Sequence, residues 1–71
     1  MKNQALTNAR KNKGLTQEEL AEKLGYSKAT VSNWENGYSK PSLTDAFKLS
    51  EILKEDINGL FLVLKVQDSY T

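Results

Sequence analysis

The chain has no cysteine and no histidine among its 71 residues, and only one proline. Without cysteine no disulfide can form, and without either residue the common nitrogen and sulfur metal sites are excluded, so neither metal nor cofactor is expected. The same two absences remove a strongly nucleophilic side chain and the most frequent general base. There is no glycine-rich phosphate loop, and so short a chain has no room for a substantial pocket, so an enzyme is not expected. Glu18, Glu19 and Glu22 do cluster, but a solvated helix face explains them. Long apolar runs are also missing. The longest, Leu60 to Leu64, falls far short of the ~20 residues that span a bilayer, so no membrane role is expected. The opening MKNQALTNARK has no apolar segment of the secretory kind, and a cytoplasmic location fits.

What is there is a 20-residue stretch from Gln17 to Asn36, QEELAEKLGYSKATVSNWEN. It reads as two short helices joined by a tight turn. Thr16 has the chemistry of an N-cap, and Glu19 completes a capping box. Leu20, Ala21 and Leu24 form an apolar stripe on a helix from Gln17 to Leu24. Gly25 stands where a left-handed residue would stop that helix. Ser27 can cap a second helix, Lys28 to Asn36, which Gly37 ends. That second helix has two faces. Val31 and Trp34 point one way, with Glu35 a turn after Val31, and Trp34 reads as core. Lys28, Ala29, Ser32 and Asn33 share the other, with Asn36 at its end. This polar, mildly basic face would gain little by packing inward. It suits the major groove of double-stranded DNA, where amides, an ammonium and a methyl meet base edges.

This stretch resembles the helix-turn-helix of phage Cro and repressor proteins and their bacterial relatives. Gln17, the small Ala21 at the helix crossing, Gly25 and the apolar Leu20, Leu24, Val31 and Trp34 carry the likeness. So do Trp34-Glu35-Asn36-Gly37 and Lys40-Pro41-Ser42. The likeness runs from Leu6 to about Phe61 and implies an all-α, five-helix, lambda-repressor-like domain. It further implies an ion pair between Arg10, on an otherwise apolar face of the first helix, and Glu35. It implies phosphate contacts at the backbone of Gln17, at Asn36 and at Lys40. Net charge is only +1, but residues up to Lys40 hold seven Lys and Arg against four Glu, and the remainder three against five acids. The basic half is the half that carries the motif, as steering toward phosphate requires.

Along the chain, the spacing predicts a first helix from Asn3 or Gln4 to Lys13, with Leu6, Ala9, Arg10 and Lys13 on one face. Gly14 closes it and Leu15 tucks in beside Leu20. Pro41 marks a loop, and Ser42 caps a fourth helix with Asp45 completing a second box. Leu43, Ala46, Phe47, Ser50 and Leu53, flanked by Leu49 and Ile52, are its expected inward face. Asp56 can cap a fifth helix from Ile57 to Leu60 or Phe61, and Lys54 stands where the family often has glycine.

On the outward face of the recognition helix, Lys28 is placed for guanine or phosphate. Asn33 is placed for adenine, Ala29 for the thymine methyl, and Ser32 for either base type. Ser27, Thr30 and Tyr38 join Gln17, Asn36 and Lys40 as backbone-contact candidates. Residues 1–62 form the expected domain and residues 63–71 an extension that dimerises and ends in a disordered tail. Leu60, Leu62, Leu64 and Val66 alternate as a strand would, or extend the fifth helix. Either way they read as the interface of a homodimer. The expected function is sequence-specific regulation of transcription, repression first, on a pseudo-palindromic operator with no small-molecule effector. The alternative is an antitoxin or protein-interaction module on the same fold, against which the shortness of the extension counts.

Overall fold

The computed structural model describes residues 2–61. They form five helices: α1 (Gln4–Asn12), α2 (Gln17–Leu24), α3 (Lys28–Asn36), α4 (Leu43–Leu53) and α5 (Ile57–Phe61). The fold is all-α, and there is no strand among the described residues. Three of the helix starts are set by side-chain caps. Asn3 Oδ1 accepts from the Leu6 amide at 3.0 Å. The Thr16 box is closed both ways: Glu19 N donates to Thr16 Oγ1 at 3.0 Å, and Thr16 N to Glu19 Oε1 at 2.9 Å. Ser42 Oγ accepts from Asp45 N at 3.1 Å. Gly25 and Gly37 end α2 and α3 at φ of 81° and 80°, a region that carries no penalty for a residue without Cβ.

Each of the first four helices sends one side chain to the centre: Leu6, Leu20, Val31 and Leu49, all fully buried. Leu53 and Leu60 join them from α4 and α5, and Leu15 and Leu24 pack at the margin. Ala21 of α2 is 1% exposed, in the cluster that also holds Val31 and Trp34 of α3. A side chain this small lets the two helices approach closely, and removing each large one from water contributes roughly 1.5–3 kcal/mol.

Asn3 ties the start of the domain to two distant places. Its amide N–H donates to the Glu35 carbonyl at 2.8 Å, in the last turn of α3. Its side-chain Nδ2 donates to the Leu60 carbonyl at 2.8 Å, in α5.

Five expectations need correction. On α4, Leu43 is 58% and Phe47 50% exposed, while Asp45, Ala46, Leu49 and Leu53 are buried. The inward face lies most of a quarter-turn from the expected one, centred on Leu49 and Leu53, and Asp45 on its edge meets a partner on another element. Asp45 therefore leaves its capping box half-built: its carboxylate goes to Tyr26, at 2.6 Å. Ser27 occupies the N-cap of α3 but makes no side-chain cap. Its Oγ lies 3.3 Å from Thr30 Oγ1 instead. Leu60 is 3% exposed within its own chain, so it belongs to the core and not to an open interface. Lys13, expected on the inward stripe of α1, is exposed at that helix's C-cap. Leu62, Leu64, Val66, the strand alternative and the tail lie outside the described residues.

Candidate nucleic-acid interface

α3 is held by its back. Val31 is fully buried, and Trp34 and Glu35 are each 5% exposed. Helical spacing then turns the remaining residues outward. Lys28, Ala29 and Asn33 are exposed, and Ser32 and Asn36 half-buried beside them. Asn36 Nδ2 donates to Ser32 Oγ at 3.3 Å, which orients both side chains along the helix edge. Thr30 is half-buried and Ser27 exposed at the helix start. Tyr38 and Lys40 stand exposed on the α3–α4 loop, Tyr38 at 80%. The Tyr38 amide donates to the Asn33 carbonyl at 2.9 Å, so the loop begins as a direct continuation of the helix end.

Beneath α3 lies one charged network. Arg10 Nε is 2.6 Å from Glu35 Oε2, and Arg10 Nη2 is 3.3 Å from Glu35 Oε1. The third guanidinium nitrogen donates to the Leu15 carbonyl at 2.7 Å. Glu35 Oε1 also accepts from Thr7 Oγ1 at 3.0 Å and from Gln17 Nε2 at 3.1 Å. The carboxylate thus gathers α1, α2 and α3 at one point. Burial pushes the Glu35 carboxyl up, but the bonds from Arg10, Gln17 and Thr7, with the guanidinium charge, outweigh it and hold it below the usual range. The side chain of Gln17 is therefore turned inward; only its backbone, in the first turn of α2, is left to face a phosphate.

The turn holds contacts that sequence reasoning missed. The Tyr26 ring meets Trp34 edge-on, centroids 5.7 Å apart at 86°. Its hydroxyl donates to Asp45, and this bond pushes the phenol up from its ordinary value. Tyr26 and Asp45 are 19 positions apart and share no periodic pattern. The sole hint was an acid set amid apolar residues on α4.

The sequence profile described as Helix-turn-helix matches residues 6–60. The chain belongs to the helix-turn-helix family. Relatives in this family carry names that describe HTH-type transcriptional regulators. Relatives include Antitoxin HipB of Escherichia coli O6:H1, 44% identical over 50 residues, covering 70% of this chain and 53% of that one. An uncharacterized HTH-type transcriptional regulator of Methanothermobacter thermautotrophicus is 42% identical over 55 residues, covering 76% and 80%. One from Archaeoglobus fulgidus is 41% identical over 49 residues, covering 69% and 70%. The helix-turn-helix chain spans about half the length of the HipB antitoxins it matches. No solved structure matches at a comparable level. No helix among the described residues is long and apolar enough to cross a membrane.

Proposed function

We propose that this helix-turn-helix protein reads a specific sequence in double-stranded DNA through α3 and represses transcription there as a homodimer. The observation that carries the reading is the division of α3: Val31, Trp34 and Glu35 anchor one side, and Lys28, Ala29, Ser32 and Asn33 form the other. Asn33 is suited to adenine, Lys28 to guanine, Ala29 to a thymine methyl and Ser32 to either base type. The Gln17 backbone, Ser27, Thr30, Asn36, Tyr38 and Lys40 surround that face with groups suited to phosphate.

One such helix reads only a few base pairs. Two copies about a two-fold axis would place their α3 helices ~34–36 Å apart in successive major grooves of a pseudo-palindrome. In the sequence, Leu62, Leu64 and Val66 are the apolar residues proposed for that pairing. Bound over a promoter, such a dimer blocks polymerase. Selection of bound duplexes from random DNA tests this. A recurring half-site repeated with inverted symmetry is the expected result; recovery of no preferred sequence would refute base reading, and an unrepeated half-site would refute the dimer.

The likeness to HipB antitoxins favours a second reading, in which the same domain also engages a protein partner. Stoichiometric co-purification of a defined protein that alters DNA binding would support it.

A further inference from the structure

Tyr26 touches three helices at once. Its amide donates to the Ala21 carbonyl at 2.9 Å, which makes its backbone the end of α2. Its ring lies against Trp34, the residue that anchors α3. Its hydroxyl reaches Asp45 in the first turn of α4. Asp45 is 9% exposed, and its own amide is held by Ser42. A carboxylate so far out of water needs a donor, and a hydroxyl at 2.6 Å supplies a short, charge-assisted bond.

The position of this bond matters more than its strength. On one side it meets the turn that launches α3, two residues before Lys28. On the other it meets the helix that ends the loop carrying Tyr38 and Lys40. The base-suited face of α3 and the loop's phosphate candidates, Tyr38 and Lys40, thus lie on either side of the Tyr26–Asp45 bond. We propose that Tyr26 and Asp45 form a strut that fixes the angle of α3 relative to the α3–α4 loop, and are positioning residues for sequence discrimination. This rests on the base-reading role of α3. Base-edge hydrogen bonds demand close geometry, while an ammonium near a phosphate tolerates displacement. Loss of the strut therefore falls on specific binding and spares non-specific binding.

The test uses the full chain and four variants: Tyr26→Phe, Asp45→Ala, Asp45→Asn and the Tyr26→Phe/Asp45→Ala double. Each is assayed where circular dichroism shows it folded, against a duplex selected by the wild type and against a random-sequence duplex. Tyr26→Phe and Asp45→Ala are each expected to weaken the selected duplex about tenfold, as loss of a hydrogen bond to a charged acceptor would. Binding to the random duplex stays unchanged. Asp45→Asn keeps an oxygen that accepts from the hydroxyl and retains most of the discrimination. The double variant is no worse than either single one, because both remove the same bond. Equal losses on both duplexes, additive losses, or no loss would overturn the strut. A loss for Tyr26→Phe with none for Asp45→Ala would instead make the hydroxyl a direct DNA contact. If the wild type selects no sequence, base reading fails by itself. The strut is then judged in the free protein: Asp45→Ala must alter Trp34 fluorescence, and an unaltered emission overturns it.

Discussion

Replacing Arg10 by methionine isolates what the charged network does. The guanidinium donates to Glu35 Oε2 at 2.6 Å, to Glu35 Oε1 at 3.3 Å and to the Leu15 carbonyl at 2.7 Å. The side chains of the pair are 10% and 5% exposed, so water cannot easily replace the lost donors. Thr7 and Gln17 remain on Glu35 but bring no positive charge. Breaking such a pair from one side costs roughly 3–5 kcal/mol. A domain of this length holds only about 4–10 kcal/mol in all, so the variant should stand near the edge of unfolding. Urea titration followed by circular dichroism, run near ~15 °C where stability is greatest, reads the loss.

pH supplies a second signature. The wild-type Glu35 carboxyl titrates below its unfolded value. Its contribution is present above the unfolded value and is lost as pH falls through the folded one. In Arg10→Met the burial persists without the guanidinium, so the folded value should rise above the unfolded one. That variant then regains stability as the solution is acidified and the carboxyl takes up its proton. The gap between the two proteins is widest near neutrality and narrows in acid. Arg10→Met/Glu35→Leu, which removes both charges, should recover most of the loss. A loss under ~1 kcal/mol at neutral pH, or a gap that ignores pH, would refute the account.

Lys54 sits at φ 57°, the one left-handed residue other than glycine among the described residues. Lys54→Gly is expected to raise the melting temperature by a few degrees, as relief of roughly 0.5–1 kcal/mol would. Thr16→Ala should cost about 1 kcal/mol in denaturant titration through loss of the α2 cap. The box bonds from Thr16 hold the Glu19 carboxyl below its usual value, so the deficit should be present at neutral pH and shrink as pH falls through the acidic range. Under the proposed docking, Asn33→Ala relaxes preference at one base position per half-site. Lys40→Ala weakens all sequences alike and lowers the salt slope by about 1, both read by binding titrations at several salt concentrations.

The helices were legible because their punctuation is local. Thr16 with Glu19, Ser42, Gly25 and Gly37 each act within a few residues of the boundary they set. The outward face of α3 was legible for a similar reason: three large or charged residues on one side leave no room for doubt about the other. Arg10 beside Glu35 came from family resemblance, because no local pattern links residues 25 apart. What escaped were side chains whose partners lie on other elements. Tyr26 carried no signal of its own and Asp45 read as half of a capping box; the two meet across 19 positions, and Leu43 and Phe47 lie outside the face that α4 buries. Ser27 had the composition of a cap but its hydroxyl found Thr30. Gln17 had its backbone read correctly as the opening of α2, while the destination of its side chain was invisible until α1 and α3 were in place.

Asn3 joins the last turn of α3 to α5 through one backbone and one side-chain hydrogen bond. The proposed base-reading helix is therefore one end of a short linkage whose other end is α5. Displacing Asn3, by a fusion placed directly ahead of it or by Asn3→Ala, would slacken that linkage while leaving the exposed side chains of α3 unchanged in the sequence. Under the proposed base reading, a tagged protein would then fold, bind DNA and still misjudge its operator.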